Sequence, residues 1–400
     1  MANKVANVDD VTDAIKGVAV IDRSQGPGHG LSGIAAVSTN LLRSHLHRVP
    51  AVASEVAEPL AGAAPLPGVD APSAFAAMGM SAVGSGTVTA MAVDPFDGRL
   101  YVADFSDDAV VVLDGYTLRT SAVITDVPEP YALTVARGRA YVSALDCGND
   151  VVAVLDGDSV VDSHPLSDTV QDVVTDREGR SVYVARSSDT GVDVVVIDTE
   201  TRSLRTVELF SRAGEVANTL RLSGDGRFLV LATTDQLGGR LVIISTAELR
   251  VIDTLTVVEP VRSLAVSHDG ATLWVATDDE AAGGLVDALD VRSHRLLGTV
   301  AVDSAVRQLM LSALGDRVYA VTEDAIKVVC THTHKVVDVI TTDFAPSCIT
   351  ESGDGSRLYV AGFDGRVALY SVESTTPSVL ARMATPEALA GPAVRELQRA

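Results

Sequence analysis

Polar side chains precede seven short apolar segments of the chain, and they are the side chains best placed to bind a ligand. The position directly before each segment holds, in chain order, Thr89, Tyr131, Gln171, Asn218, Arg262, Arg307 and Ser347. The next position holds, in five of the segments, Asp172, Thr219, Ser263, Gln308 and Cys348. Guanidinium, carboxamide and phenol groups that converge on one opening would suit an anionic or hydrogen-bonding small ligand. We therefore predict a ligand site formed by Tyr131, Gln171, Asp172, Asn218, Arg262, Arg307 and Gln308. The alternative is an opening whose polar side chains are simply solvated by water.

The sequence shows no recognisable set of catalytic or metal-binding residues. His332 and His334 share a strand-to-strand turn, but no cysteine or carboxylate completes a metal site beside them. The acidic pair Asp107-Asp108 and the run Asp278-Asp279-Glu280 could supply oxygen ligands for Ca²⁺, although solvated loops are the simpler interpretation. The haem-attachment motif Cys-x-x-Cys-His is absent. We predict no catalytic residues, no metal and no cofactor.

Composition limits the classes of partner and the cellular location. The chain has 400 residues, 47% of them hydrophobic, and a formal net charge of -22. A large core is therefore possible, while nucleic acid and anionic membranes would be repelled. Cys147, Cys330 and Cys348 show no metal-type spacing, which indicates reduced thiols. No apolar run is typical of a secretory signal or reaches the ~20 residues of a membrane span. We expect a soluble, cytoplasmic monomer that binds an unknown protein or small molecule.

The apolar segments belong to a repeat that predicts the fold. A unit similar to Gly-Arg-x-Tyr-Val-Ala occurs seven times, with its aromatic residue or valine at Tyr101, Tyr141, Tyr183, Val230, Trp274, Tyr319 and Tyr359. The mean spacing of about 43 residues is that of a four-stranded propeller blade. Each repeat contains an apolar strand, a turn such as Ser267-His268-Asp269-Gly270, the Tyr-Val-Ala strand and two further strands. Residues 86–383 are therefore predicted to form an all-β, seven-bladed β-propeller of four-stranded antiparallel blades. The ligand site lies at the mouth of its central channel.

The two ends of the chain differ from the repeats. Residues 1–85 are predicted to be a mostly irregular extension with one amphipathic helix over 31–48 and a Pro/Ala-rich linker after it. Residues 384–400 are predicted to be a short helix or a frayed tail. The last repeat lacks a clear fourth strand. Residues 378–380 could supply it, and so could residues 18–21 from the N-terminal region, which would close the ring between the chain ends.

The repeat resembles that of the YVTN-type β-propellers over roughly residues 86–383. The matching stretches include Leu264-Ala265-Val266-Ser267-His268-Asp269-Gly270 and Val195-Val196-Ile197-Asp198-Thr199. One departure is systematic, because the family's Asn after the Tyr-Val-Ala strand is replaced in every repeat. Its place is taken by Asp104, Ala144, Arg186, Thr233, Thr277, Thr322 and Gly362. The resemblance implies the propeller fold. It leaves function open, because such propellers include surface-layer proteins, binding proteins and relatives of dehydrogenases and lactonases.

Two functions are consistent with these residues. The first is a non-enzymatic propeller scaffold that binds a protein partner or a small ligand at the channel mouth or at the loops around it. The second is a cytoplasmic hydrolase of the lactonase type that acts on an anionic sugar lactone. In the second case Arg262 and Arg307 would hold the substrate, and an acid-base residue near Asp172 would activate water.

Overall fold

The computed structural model describes residues 74–373, except residues 147, 213 and 280–282. These residues form seven four-stranded antiparallel sheets, which are the seven blades. The innermost strand of each blade contacts the innermost strands of both neighbouring blades, so that the sheets close into a ring. The predicted seven-bladed β-propeller is confirmed. The predicted helix over 31–48 and the tail over 384–400 lie outside the described residues.

Within each blade the strands are ordered outward from the central channel of the ring. Blade 1 contains β2 (Val88–Val93), β3 (Arg99–Asp104), β4 (Ala109–Asp114) and β5 (Thr120–Ile124). Blade 2 contains β6 (Leu133–Ala136), β7 (Arg139–Asp146), β8 (Asn149–Asp156) and β9 (Ser159–Pro165). Blade 3 contains β10 (Thr169–Thr175), β11 (Ser181–Ser188), β12 (Gly191–Asp198) and β13 (Leu204–Glu208). Blade 4 contains β14 (Val216–Leu222), β15 (Phe228–Asp235), β16 (Gly238–Ser245) and β17 (Arg250–Val257).

The remaining three blades continue this order. Blade 5 contains β18 (Val261–Val266), β19 (Thr272–Asp279), β20 (Gly283–Asp290) and β21 (Leu296–Ala301). Blade 6 contains β22 (Gln308–Leu311), β23 (Arg317–Val321), β24 (Ala325–Cys330) and β25 (Lys335–Thr341). Blade 7 contains β26 (Pro346–Glu351), β27 (Arg357–Gly362), β28 (Arg366–Val372) and, outermost, β1 (Phe75–Ala82). We call the end at which the innermost strands begin the upper face, and the opposite end the lower face.

The ring is closed by β1, which pairs antiparallel with β28 and places Phe75 opposite Val372. The propeller therefore starts at β1, inside the range 1–85 that the sequence analysis assigned to the extension. The fourth strand of blade 7 comes from the N-terminal side, immediately before the first repeat. The segments considered for this role, 18–21 and 378–380, lie outside the described residues.

The core is divided among the seven interfaces between blades. Each of seven clusters of buried residues combines side chains from two adjacent blades. Alternation along the second strand of a blade produces this arrangement, because successive side chains point to opposite faces of a sheet. In β3, Leu100 and Val102 pack towards blade 7, whereas Tyr101 and Ala103 pack towards blade 2. The aromatic residue of the repeat is thus a packing residue.

The turn between the first and second strands has the geometry that its sequence predicts. In blade 5 the Gly270 N–H donates to the Ser267 carbonyl at 2.8 Å, and Gly270 has a φ of +70°. Asp269 accepts hydrogen bonds from the Ser267 hydroxyl at 2.6 Å and from the Ala271 N–H at 3.0 Å. Only glycine adopts this φ without strain, and the aspartate satisfies the exposed donors. These turns lie on the lower face, away from the predicted ligand site.

Candidate functional site

Five of the seven predicted channel-mouth positions lie in a β-bulge at the start of the innermost strand. In five blades the pairing register shifts at one extra residue, namely Thr89, Gln171, Asn218, Arg262 and Ser347. Tyr131 and Arg307 occupy the same place in the other two blades, where their N–H groups donate to the carbonyls of Ser143 and Val321. A bulge leaves its extra residue outside the ladder and re-aims the side chain. The structure therefore brings all seven positions to equivalent places around the channel mouth.

Two of the bulge residues are used to connect adjacent blades. The Thr89 hydroxyl donates to the Pro130 carbonyl at 2.8 Å, and the Asn218 carboxamide donates to the Val261 carbonyl at 2.5 Å. Both carbonyls belong to the residue before the channel-mouth position of the next blade. These side chains satisfy backbone acceptors of the neighbouring blade. The Asn218 carboxamide, predicted to bind a ligand, is thus engaged within the protein.

The position after the bulge provides a second set of contacts between blades. Asp172, Ser263 and Gln308 each accept a hydrogen bond from a backbone N–H in the innermost strand of the next blade. The donors are Leu220 at 2.8 Å, Leu309 at 3.0 Å and Ile349 at 2.7 Å, respectively. Asp172 also accepts from the Arg221 guanidinium at 2.7 Å. The predicted site residues Asp172 and Gln308 therefore connect adjacent blades through hydrogen bonds.

The two predicted arginines keep part of their surface accessible. The Arg262 side chain is 30% exposed and its Nε lies 2.6 Å from Asp278 Oδ2. The Arg307 side chain is 31% exposed, lies 3.7 Å from Glu323 Oε1 and stacks over the Phe363 ring at 4.8 Å. Each guanidinium thus has an acidic neighbour and an accessible edge. Gln171 is buried, and Tyr131 packs partly against the cluster between blades 2 and 3.

Residues at the replaced asparagine position form contacts that differ from blade to blade. Arg186 is buried and donates to both oxygens of Asp193, at 2.9 and 2.7 Å. Thr233 donates to the buried Glu215, which also binds Arg240 in an ion pair. Buried ion pairs favour one arrangement of their surroundings, because breaking one leaves an uncompensated charge. The sequence analysis identified the substitution, but it could not identify these partners, which lie on other strands and loops.

An exposed apolar pair on the upper face was not predicted. Phe210, in the loop between β13 and β14, is 97% exposed, and Leu237, in the turn between β15 and β16, is 76% exposed. The two segments are joined by an ion pair between Arg212 and Asp235 at 3.2 Å. Neither apolar residue belongs to the repeat pattern, so its only sequence signal was a large apolar side chain in a polar loop. We call Phe210 and Leu237 the upper apolar pair.

A pocket of about 190 Å³ lies on the lower face, between blades 6 and 7, and is partly lined by Ser312, Arg317 and Glu351. Glu351 accepts hydrogen bonds from the Tyr319 hydroxyl at 2.7 Å and the Ala313 N–H at 2.5 Å. Burial raises the pKa of Glu351 even though these two donors and Arg317 favour its charged form. Burial and the neighbouring Glu351 carboxyl also raise the pKa of Tyr319.

The described residues show neither a metal-binding cluster nor a membrane-spanning helix. Residues 74–373, apart from the gaps noted above, contain no group of three or more His, Cys, Asp or Glu side chains arranged to hold a metal ion. Within the same part of the chain, no helix is long and apolar enough to cross a membrane. Cys330 and Cys348 are buried, and burial raises the pKa of Cys348 to about 12.

Comparison with known proteins agrees with this architecture. No family model matches the chain. The chain is 32% identical over 333 residues to the seven-bladed beta-propeller protein Rv1057 of Mycobacterium tuberculosis (strain ATCC 25618 / H37Rv), with 74% of this chain and 84% of that protein covered. The chain therefore belongs to the family of seven-bladed β-propeller proteins that includes Rv1057.

Solved structures show the same fold at low sequence identity. A chain of the Kuenenia stuttgartiensis hydrazine synthase matches with a TM-score of 0.64 at 16% identity, covering 73% of this chain and 97% of that one. The β-propeller domain of Cps50 (Swd1), from the organism named Myceliophteria thermophila, matches with a TM-score of 0.61 at 16% identity, covering 73% of this chain and 98% of that one. These similarities concern the fold alone.

Proposed function

We propose that the protein is a cytoplasmic, non-enzymatic propeller scaffold with repeats of the YVTN type, which binds a protein partner through its upper face. The observation that supports this proposal is the upper apolar pair. Phe210 and Leu237 project from loops that Arg212 and Asp235 hold together, so both side chains can be presented to a partner at once. Aromatic side chains are enriched at the centres of protein interfaces.

The magnitude of the expected contribution follows from the exposed surface. Burying a large apolar side chain contributes about 1.5–3 kcal/mol, which corresponds to about a 10- to 100-fold gain in affinity. Phe210 is almost completely exposed, so nearly all of its apolar surface is available to a partner. The rigid blades beneath the loops limit the conformational entropy that binding would cost.

The test compares capture of cytoplasmic proteins by three forms of the full chain. The Phe210→Ser/Leu237→Ser double variant should lose a partner that the wild type enriches, measured by quantitative mass spectrometry. Val123→Ser is the matched control, because Val123 is an exposed apolar residue on the outer strand β5. Equal capture by all three forms would contradict binding through the upper face.

The channel mouth is a second candidate site, for a small anionic ligand. It is supported by the accessible edges of Arg262 and Arg307 described above, since guanidinium groups bind carboxylates and phosphates in planar, paired hydrogen bonds. A thermal-shift screen with sugar phosphates and other anionic metabolites would test it. A hit should disappear in the Arg262→Ala/Arg307→Ala double variant. A hit retained in that variant would place the ligand elsewhere.

The alternative function, hydrolysis of an anionic sugar lactone, has less support from the geometry. If Asp172 itself were the acid-base residue of this region, it would need a free oxygen to activate water. Asp172 Oδ2 accepts from Leu220 and Arg221, and Oδ1 accepts from the Val173 N–H at 2.9 Å. Both oxygens therefore already have donors from within the protein.

A further inference from the structure

The loop that joins the closing strand β1 to the first innermost strand β2 crosses the turn between β3 and β4. Val83 N–H donates to the Gly365 carbonyl of blade 7 at 2.8 Å. Ser85 N–H donates to Asp107 Oδ2 at 3.1 Å, and Thr87 N–H donates to the Ser106 hydroxyl at 2.8 Å. We call residues 83–87 the closure loop. It links the last blade of the ring to the first.

Two glycines allow the closure loop to lie directly on this turn. A Cβ added at Gly84 would overlap Asp104 Oδ2, and a Cβ added at Gly86 would overlap the Ser106 hydroxyl. The added Cβ at Gly84 would also lie 2.7 Å from Asp107 Oδ2. The facing oxygens of Asp104 and Asp107 are therefore both within 2.7 Å of one point. Two carboxylates meet beneath the closure loop.

The Asp104 carboxylate is buried without a full set of partners. Asp104 is 1% exposed, and its Oδ1 accepts from the Asp107 N–H at 3.3 Å. Its Oδ2 is buried and has no hydrogen-bond partner among the described residues. Burying an unpaired anion is energetically unfavourable, and a second carboxylate beside it adds repulsion. Burial, together with the charge of Asp107, raises the pKa of Asp104. This arrangement needs a positive charge between the two carboxylates.

We propose that Asp104 and Asp107 bind a hard divalent cation of the Ca²⁺ class beneath the closure loop. The distances of both oxygens from the added Cβ of Gly84 place Asp104 Oδ2 and Asp107 Oδ2 at most about 4.5 Å apart. Calcium takes oxygen ligands at about 2.3–2.6 Å, so one ion can bridge two oxygens at that separation. The Ser85 hydroxyl, which donates to Asp107 Oδ1 at 3.4 Å, adds a neutral oxygen beside this carboxylate. With two carboxylates, the affinity should be at the weak end of calcium sites, with a Kd of about 10⁻⁴–10⁻³ M.

The neighbouring carboxylate provides a matched control. Asp108 follows Asp107 directly, but its Oδ1 accepts from the Glu129 N–H at 2.9 Å, in the loop that leads to blade 2. Asparagine at this position can still accept that hydrogen bond. Asp108→Asn therefore removes one negative charge from the same turn without changing the proposed ligands.

The experiment measures Tm and calorimetric binding of the full chain at pH 7, with CaCl₂, MgCl₂ or NaCl at matched ionic strength. For the wild type and Asp108→Asn we expect one Ca²⁺ per chain and a rise in Tm of about 3–8 °C at 10 mM Ca²⁺. Asp104→Asn and Asp107→Asn should each lower the affinity at least about tenfold and abolish the shift. Having both variants keeps the test valid if one of them folds poorly.

Three results would overturn the proposal. An equal shift in all four proteins would show general screening of acidic charge. In a second case, Ca²⁺ has no effect, and lowering the pH from 7 to 5 raises the Tm of the wild type but not that of Asp104→Asn. This result would show that the two carboxylates share a proton instead. No response to either Ca²⁺ or pH would show that the carboxylates need no counter-charge.

Discussion

Replacing Asp172 with alanine tests whether the position after the bulge serves stability or ligand binding. The wild-type carboxylate accepts hydrogen bonds from the Leu220 N–H and the Arg221 guanidinium of blade 4 and from the Val173 N–H of its own strand. The alanine variant leaves the partly buried Leu220 N–H without its acceptor and removes the counter-charge of Arg221. If the contact fastens blade 3 to blade 4, Asp172→Ala should destabilise the propeller.

The expected loss is about 3 kcal/mol. A hydrogen bond to a charged group contributes about 1.5–3 kcal/mol, and this range applies to the Leu220 N–H. The Arg221 side chain is 29% exposed, so solvent screening limits that ion pair to at most about 1 kcal/mol. Asp172→Asn keeps an acceptor for Leu220 and should lose only about 1 kcal/mol. At about 2–4 °C per kcal/mol, Asp172→Ala should lower Tm by about 6–12 °C.

The assay follows thermal and urea unfolding of the full chain by the fluorescence of Trp274, the single tryptophan, which is buried in blade 5. Asp189→Ala, at an exposed position in the turn between β11 and β12, is the control and should change Tm by less than 1 °C. A Tm for Asp172→Ala within 1 °C of the wild type would refute the fastening role. In that case the ligand-binding interpretation of Asp172 would gain support.

Three further predictions concern Gly365, Glu351 and Arg307. Gly365→Ala should lower Tm by several degrees, because Gly365 has a φ of +77° and an added Cβ would lie 2.5 Å from the Gly84 carbonyl carbon; an unchanged Tm would argue against close contact at the ring closure. Glu351 has a raised folded-state pKa, so its stabilisation is complete below its ordinary value near 4.5 and is lost as pH rises through the folded value. Relative to Glu351→Gln, the wild type should therefore have a lower Tm at pH 8 than at pH 4.5. A Tm difference that is the same at both pH values would exclude this linkage. With a panel of sugar lactones, wild type and Arg307→Ala should show equal background hydrolysis, and turnover lost in the variant would instead support an enzyme.

Local patterns in the sequence are sufficient to predict the blade count and the strand pattern. Every blade repeats the alternation of apolar residues, a turn that contains glycine and the buried aromatic residue or valine, exemplified by Tyr101 and Trp274. These signals are local, because side-chain alternation and turn geometry depend on residues a few positions apart. The equivalent positions at the channel mouth could therefore be aligned in advance, and five of the seven lie in the same kind of bulge.

The strand that closes the ring and the partners of the polar side chains depend on contacts between distant parts of the chain. The closing strand β1 reads Phe-Ala-Ala-Met-Gly-Met-Ser-Ala and has little of the β-branched character typical of strands, so its conformation depends on pairing with β28 at the other end of the chain. The partners of Asp172, Asn218 and Gln308 belong to the next blade, more than 40 residues away. A local pattern shows that a side chain is polar, whereas the neighbours that satisfy it are set by how the blades pack.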